Sequence, residues 1–175
     1  IRSGRARPGI EALFEVAGRD HRVATASDLG FIVGPRINAA GRLDDMSIGI
    51  ECLLAESSIA ARERAQTLHQ LNRERRDIEQ SMQQDAMVQL EALDLSADAL
   101  PFAMTLYDST WHQGVIGILA SRIRERTHRP TVVFAQAGDG WLKGSGRSIP
   151  GIHLRDILDQ VATQHPGLLS KFGGH

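Results

Sequence analysis

The sequence predicts an α/β chain with a helical N-terminal portion, one long helix and a small mixed sheet-and-helix domain. Three observations predict it. Between Ser58 and Leu100 there is neither Gly nor Pro, and Leu68, Leu71, Ile78, Met82, Ala86 and Leu90 recur at helical spacing as a stripe. From Phe102 onward the pattern reads strand, helix, strand, strand, helix. Before Ser57, short apolar helical patterns are separated by Gly-rich turns.

Taken in order, Arg7-Pro8-Gly9 precedes Ile10, Leu13, Phe14 and Val16, a short amphipathic helix stopped by Gly18. Ser27 and Asp28 are placed to cap a helical turn through Leu29, Phe31 and Ile32. The stretch from Gly34 to Arg42 sets two arginines six apart in a frame of small residues. Ile48, Cys52 and Leu53 suggest another short helix. Ser57 and Ser58 are good caps for the long helix, which the pattern carries over residues 59–95. Such a helix runs about 50 Å, long enough to bridge two lobes; a coiled-coil dimer arm is the other reading of its stripe. Residues 102–107 form a strand candidate, 115–126 a helix, and 131–135 a β-branched strand. Residues 141–145 pair with the latter through the Gly-rich turn at 137–140, and 152–161 form the last helix.

Composition bounds the function. The 175 residues carry a net charge of -1, so a nucleic-acid site is a local patch and not a whole-chain field. A single cysteine, Cys52 in an apolar run, forms no internal disulfide; it reads as a buried small hydrophobe and suits a reducing cytoplasm. No apolar run approaches the roughly 20 residues that span a bilayer. The first residue is Ile1 and not Met, and the last follows the Gly173-Gly174 pair, which together read as a piece of a longer protein.

Four constellations could carry chemistry. Gly144-Ser145-Gly146-Arg147-Ser148 combines flexible backbone, hydroxyls and a guanidinium, a set suited to an oxyanion and above all a phosphate; a plain Gly-rich turn is the competing reading. Ser109-Thr110-Trp111-His112-Gln113-Gly114 precedes a helix, whose N-terminus favours anions. There His112 is a phosphate donor or proton carrier, or else a half-buried loop histidine, and Trp111 a packing anchor. Arg36 and Arg42 sit beside small residues that let a phosphate backbone approach, or pair with Asp44 or Asp45. Gly173-Gly174-His175 is the fourth. No histidine stands at zinc-ligand spacing, and no Walker loop, nucleophile elbow or dinucleotide fingerprint occurs.

In this order the segments Gly34-Pro35-Arg36-Ile37-Asn38-Ala39-Ala40-Gly41-Arg42, Trp111-His112-Gln113-Gly114-Val115-Ile116-Gly117-Ile118-Leu119-Ala120-Ser121-Arg122, Gly144 to Ser148 and Phe172-Gly173-Gly174-His175 resemble the RecJ family of single-strand-specific DNA exonucleases, in the DHH phosphoesterase superfamily. The resemblance implies residues 1–57 as the C-terminal part of a DHH lobe, 58–98 as a connecting helix, and 99–175 as a truncated DHH-associated substrate-binding domain. It implies a cytoplasmic 5′-to-3′ exonuclease of DNA repair and recombination. Mn2+ or Mg2+ would be held outside this chain, since no Asp-His-His triplet occurs here and no metal ligand is expected in it. In the family's mechanism the metal ions activate a water and stabilise charge on the phosphoryl group. By the same resemblance Arg147, Ser145, Ser148 and the amides of Gly144 and Gly146 hold a phosphate near the 5′ end. Arg36 and Arg42 contact the strand, and His112 and His175, the latter carried by Gly173 and Gly174, act at the scissile phosphate. The implied partners are single-stranded DNA, a single-strand-binding protein and a helicase, without a membrane. A nano-RNA or cyclic-dinucleotide phosphodiesterase and a non-catalytic nucleic-acid-binding relative are the alternatives.

Overall fold

Pro8 occupies the first turn of the first helix, where its missing N–H costs nothing. In the computed structural model, which describes all residues except Gly4, residues 92–100, Asp139 and His175, this helix α1 covers Pro8–Val16 and buries Ala12, Leu13 and Phe14. Gly18, at φ +67, ends it as the sequence predicts. The next cap differs from expectation. Thr25, not Ser27, is the N-cap of the short helix α2 (Ala26–Asp28). Its hydroxyl accepts from the Asp28 N–H at 3.3 Å, and the Asp28 carboxylate accepts from the Thr25 N–H at 2.7 Å. A π-helical turn over Leu29–Val33 follows and leads straight into α3 (Gly34–Leu43). The small-residue frame around Arg36 and Arg42 is therefore helix, with Ala39 and Ala40 wholly buried.

Helix α4 (Ser47–Leu54) crosses α1 so closely that a Cβ on Gly9 would overlap the Cys52 carbonyl oxygen. Cys52 is fully buried, its Sγ 3.9 Å from the Ala61 carbonyl oxygen, and burial pushes its thiol pKa up. It is a packing residue, as expected. Leu13, Phe14, Ala39, Ala40, Cys52, Ala61, Ala65 and Leu68 share one core.

Helix α5 (Ser58–Glu91) has 34 residues. The Ser57 hydroxyl accepts from the Ala60 N–H at 3.1 Å, satisfying one of the free first-turn donors. Of the apolar stripe, Leu68, Leu71, Met82, Ala86 and Leu90 are buried and Ile78 is half-buried. The part of the helix expected beyond Glu91, and the 98/99 boundary, lie outside the described residues. The chain divides into two compact units, Ile1–Gln80 and Ser81–His175.

In the second unit, β1 (Met104–Tyr107) pairs parallel with β2 (Thr131–Gln136), and β2 pairs antiparallel with β3 (Leu142–Arg147). Helix α6 (Ile116–Thr127) lies between β1 and β2 in sequence, and α7 (Leu154–Gln164) follows β3. β1 starts later than expected, and Phe102 is exposed. β2 buries Thr131, Val133 and Ala135, while α6 buries Ile116, Leu119, Ala120 and Ile123. β3 extends two residues beyond the expected 145, so the Gly-rich segment is strand and not loop. Its glycines have packing partners. A Cβ on Gly144 would meet the Phe134 ring at 2.6 Å, and one on Gly146 would run into the Leu154 side chain.

The α1–α4 crossing yields a stability test. Gly→Ala inside a helix gains up to about 1 kcal/mol of propensity. At Gly9 the new methyl meets backbone, which cannot rotate away, so overpacking costs about 1–3 kcal/mol and wins. Gly9→Ala in the full-length polypeptide is expected to lower the urea unfolding midpoint; an equal or higher midpoint would contradict the close crossing.

Candidate functional site

Arg147 ends β3 on the sheet face that α6 covers, opposite Thr131 and two residues beyond Ser145. Its Nε donates to the Ser121 hydroxyl at 3.0 Å. Its Nη1 donates to the Gly146 carbonyl at 2.7 Å and to the Ser145 hydroxyl at 3.3 Å. Gly117 and Ser121 lie one helical turn apart. The guanidinium also lies close to Gly117: a Cβ there would stand 3.0 Å from both Arg147 Nη2 and the Ser145 hydroxyl. It thus lies in the first turn of α6, where the Ile118 and Leu119 N–H groups already donate to the Val115 carbonyl, at 2.9 and 3.2 Å. All its partners are neutral, so its charge is not offset by a carboxylate among the described residues.

His112 approaches the same turn from the β1–α6 loop. Its carbonyl accepts from the Val115 N–H at 3.0 Å, and its Nδ1 accepts from the Gly114 N–H at 3.1 Å. With Nδ1 as acceptor, the neutral ring carries its proton on Nε2, which makes His112 a donor. Trp111 is 3% exposed and anchors the loop. Ser148 departs from the grouping: its hydroxyl donates to the Ile152 carbonyl at 2.6 Å and braces the turn before α7. Gly173 and Gly174 are exposed and lie outside any helix or strand; His175 lies outside the described residues. Ser121 and Gly117 complete the arginine cradle but were not singled out from sequence. Their four-residue spacing on a helix after the His112 loop was the available signal.

The two N-terminal arginines are not brought together. Six residues of helix turn Arg42 about 120° away from Arg36, and Arg42 is exposed whereas Arg36 is buried. Asp44 and Asp45 accept from the N–H groups of Asp45 and Ser47, at 2.8 and 2.9 Å, and so organise the entry to α4. The Arg36 Nη1 donates to the Ile32 carbonyl at 2.6 Å, and its Nε donates to His69 Nδ1 at 3.2 Å. Because Nδ1 accepts, the His69 ring is neutral. Burial pushes its pKa down, and the charges of Arg36, Arg73 and Arg76 push the same way. Burial, then Arg76, also lowers the pKa of Arg36, a guanidinium that stays charged nonetheless.

Among the described residues there is no group of three or more His, Cys, Asp or Glu side chains that could hold a metal ion. Among them, too, no helix is long and apolar enough to cross a membrane.

A family model described as the DHHA1 domain matches residues 100–175. Proteins named single-stranded-DNA-specific exonuclease RecJ match the whole chain, at 59% identity in Dickeya dadantii and 57% in Escherichia coli. The chain spans 30% of the length of each. A crystal structure of RecJ in complex with Mg2+ from Thermus thermophilus superposes with a TM-score of 0.79 at 32% identity, over 99% of this chain and 25% of that one. A crystal structure of exonuclease RecJ bound to manganese gives 0.78 at 34% identity, over 97% of this chain and 39% of that one.

The His69 contact has a pH signature. Its folded pKa lies below the unfolded value of about 6.5. As pH falls below that value the unfolded chain takes up the proton first, so the contribution to stability is full above about pH 6.5 and declines toward the lower folded pKa. In the full-length polypeptide, ring-nitrogen NMR shifts of His69 are expected to be those of a mostly neutral imidazole at about pH 6.5. A ring half charged or more at that pH would contradict the Arg36 contact.

Proposed function

The chain belongs to the RecJ family, and from that membership we propose that it is the substrate-binding part of a 5′-to-3′ single-stranded-DNA exonuclease. Residues 1–57 are the end of its DHH lobe, 58–98 the connecting helix and 99–175 the DHH-associated domain. The observation that carries the reading is the Arg147 guanidinium, held by the Ser121 and Ser145 hydroxyls and the Gly146 carbonyl over the first turn of α6. A charge fixed by neutral atoms, at the N-terminal end of a helix, suits the terminal 5′ phosphate of a strand.

In this reading Arg147 and Ser145 bind that phosphate, with the strand passing the backbone of Gly144 and Gly146. Ser148 serves by bracing the turn behind them. His112 directs its Nε2 proton at a phosphate oxygen, and His175, at the end of Gly173-Gly174, is assigned the same role from the motif. Arg36 and Arg42 contact the strand. The metal-dependent bond cleavage belongs to ligands elsewhere in the full-length polypeptide, with Mn2+ or Mg2+. What this chain supplies is grip and orientation, which convert a diffusing strand into one presented at a fixed point. The protein works in the cytoplasm in DNA repair and recombination, beside a single-strand-binding protein and a helicase.

Arg147→Ala in the full-length enzyme is expected to weaken binding of a 5′-phosphorylated strand by about 1.5–3 kcal/mol, the range for a charged hydrogen bond, with a much smaller effect on a 5′-hydroxyl strand. Fluorescence titration of both strands without divalent metal measures it; equal losses would remove Arg147 from the terminal-phosphate role.

A further inference from the structure

The arginines of α5 divide into two sets. Arg62 pairs with Glu15 at 2.9 Å, Arg64 with Glu51 at 2.9 Å and Arg75 with Glu79 at 2.6 Å. Arg73 and Arg76 are exposed, and no carboxylate among the described residues lies within ion-pair distance of either. The division is not random along the helix. Positions 69, 73 and 76 follow at i, i+4 and i+7 and share one face. His69, the first of them, is the residue that holds the buried Arg36 of α3. The unpaired guanidiniums therefore stand one and two turns along α5 from the Arg36–His69 contact. They are near enough for both to act on the His69 ring, and for Arg76 to act on Arg36.

Two exposed guanidinium charges thus stand on one α5 face beside a third, the buried Arg36 of α3, whose bonded titratable partner His69 is a neutral imidazole. Like charges so placed repel one another and weaken the fold, unless a ligand supplies the opposing charge. The other α5 arginines meet a carboxylate from the chain itself; these do not. The ligand is accordingly anionic. The face from position 69 to 76 extends about 10 Å along the helix, longer than one phosphate group. A chain of phosphodiesters matches it, and a lone phosphate ion would leave part of it uncovered.

We propose that Arg73 and Arg76, on the α5 face beside the buried Arg36–His69 contact, form a ridge that binds the sugar–phosphate backbone of a single strand, irrespective of base sequence and of how the strand ends. The inference rests on the single-strand reading above and adds to it two residues outside every motif that carries the family resemblance.

The test is equilibrium binding of 5′-hydroxyl oligothymidylate to the full-length protein over a salt series, without divalent metal so that the strand stays intact. Each phosphate contact contributes about -0.7 to the log–log salt slope for single strands. Arg73→Gln/Arg76→Gln is expected to make the slope shallower by about 1.4 and to weaken low-salt binding by roughly tenfold or more. Arg73→Lys/Arg76→Lys is expected to keep most of the slope, since it keeps the charge. An unchanged slope in the glutamine variant, with strand binding intact, overturns the ridge and leaves the functional reading standing. A loss shared equally by the lysine variant also overturns it, pointing to damaged packing. Absence of strand binding by the unsubstituted protein overturns both readings.

Discussion

A guanidinium can be fixed in two ways, and the difference governs this chain. Bound to a carboxylate, as Arg62, Arg64 and Arg75 are, it gives up most of its outward field. Bound to hydroxyls, carbonyls or a neutral ring, as Arg147 and Arg36 are, it is held in place while its charge stays available. The surrounding architecture serves that second arrangement. Gly117 leaves room for Arg147 to lie on α6, and the buried alanines of α3 let that helix sit deep in the core of its unit, with Arg36 on it. A net charge of -1 over the chain then does not matter much, because the field is made locally.

Small residues do most of the positioning. In α1 and α3 they bring neighbouring segments into close contact; in β3 they admit the Phe134 ring and the Leu154 side chain. The same Gly144 and Gly146 read from sequence as loop formers for an anion. In the fold they first satisfy packing, and the bending expected of them falls to Gly138 and Gly140, both at positive φ in the preceding turn. A glycine-rich string beside an arginine is therefore ambiguous until the layer behind it is known.

Elements with an uninterrupted period were legible. The α5 stripe, α6 and the β2–β3 pairing come from residues whose spacing alone selects the structure, and Cys52 and Trp111 were readable as core. The helical nature of α3 was obscured by Gly34, Pro35 and Gly41, since breakers in sequence are tolerated at a helix start or where a neighbour packs closely. The true cap at Thr25 was hidden because its partner is Asp28, the residue that itself resembled a cap. The site contacts were least legible. Arg36 meets His69 across 33 positions and Arg147 meets Ser121 across 26, and no local pattern encodes a meeting set by how helices and strands stack.

The π-helical turn at Leu29–Val33 gives the chain a hidden register setting. Such a turn holds one residue more than an α-helix would in the same rise. Everything that follows is rotated by about 100° relative to an uninterrupted helix. Loss of a single amino acid there would relax the turn into regular α-helix at little local cost. Arg36 would then swing away from His69, although no residue of the pair had changed. A segment shorter by one residue would keep α3 and its composition while dismantling the contact, so the length of the turn, and not only the identity of its residues, sets where Arg36 points.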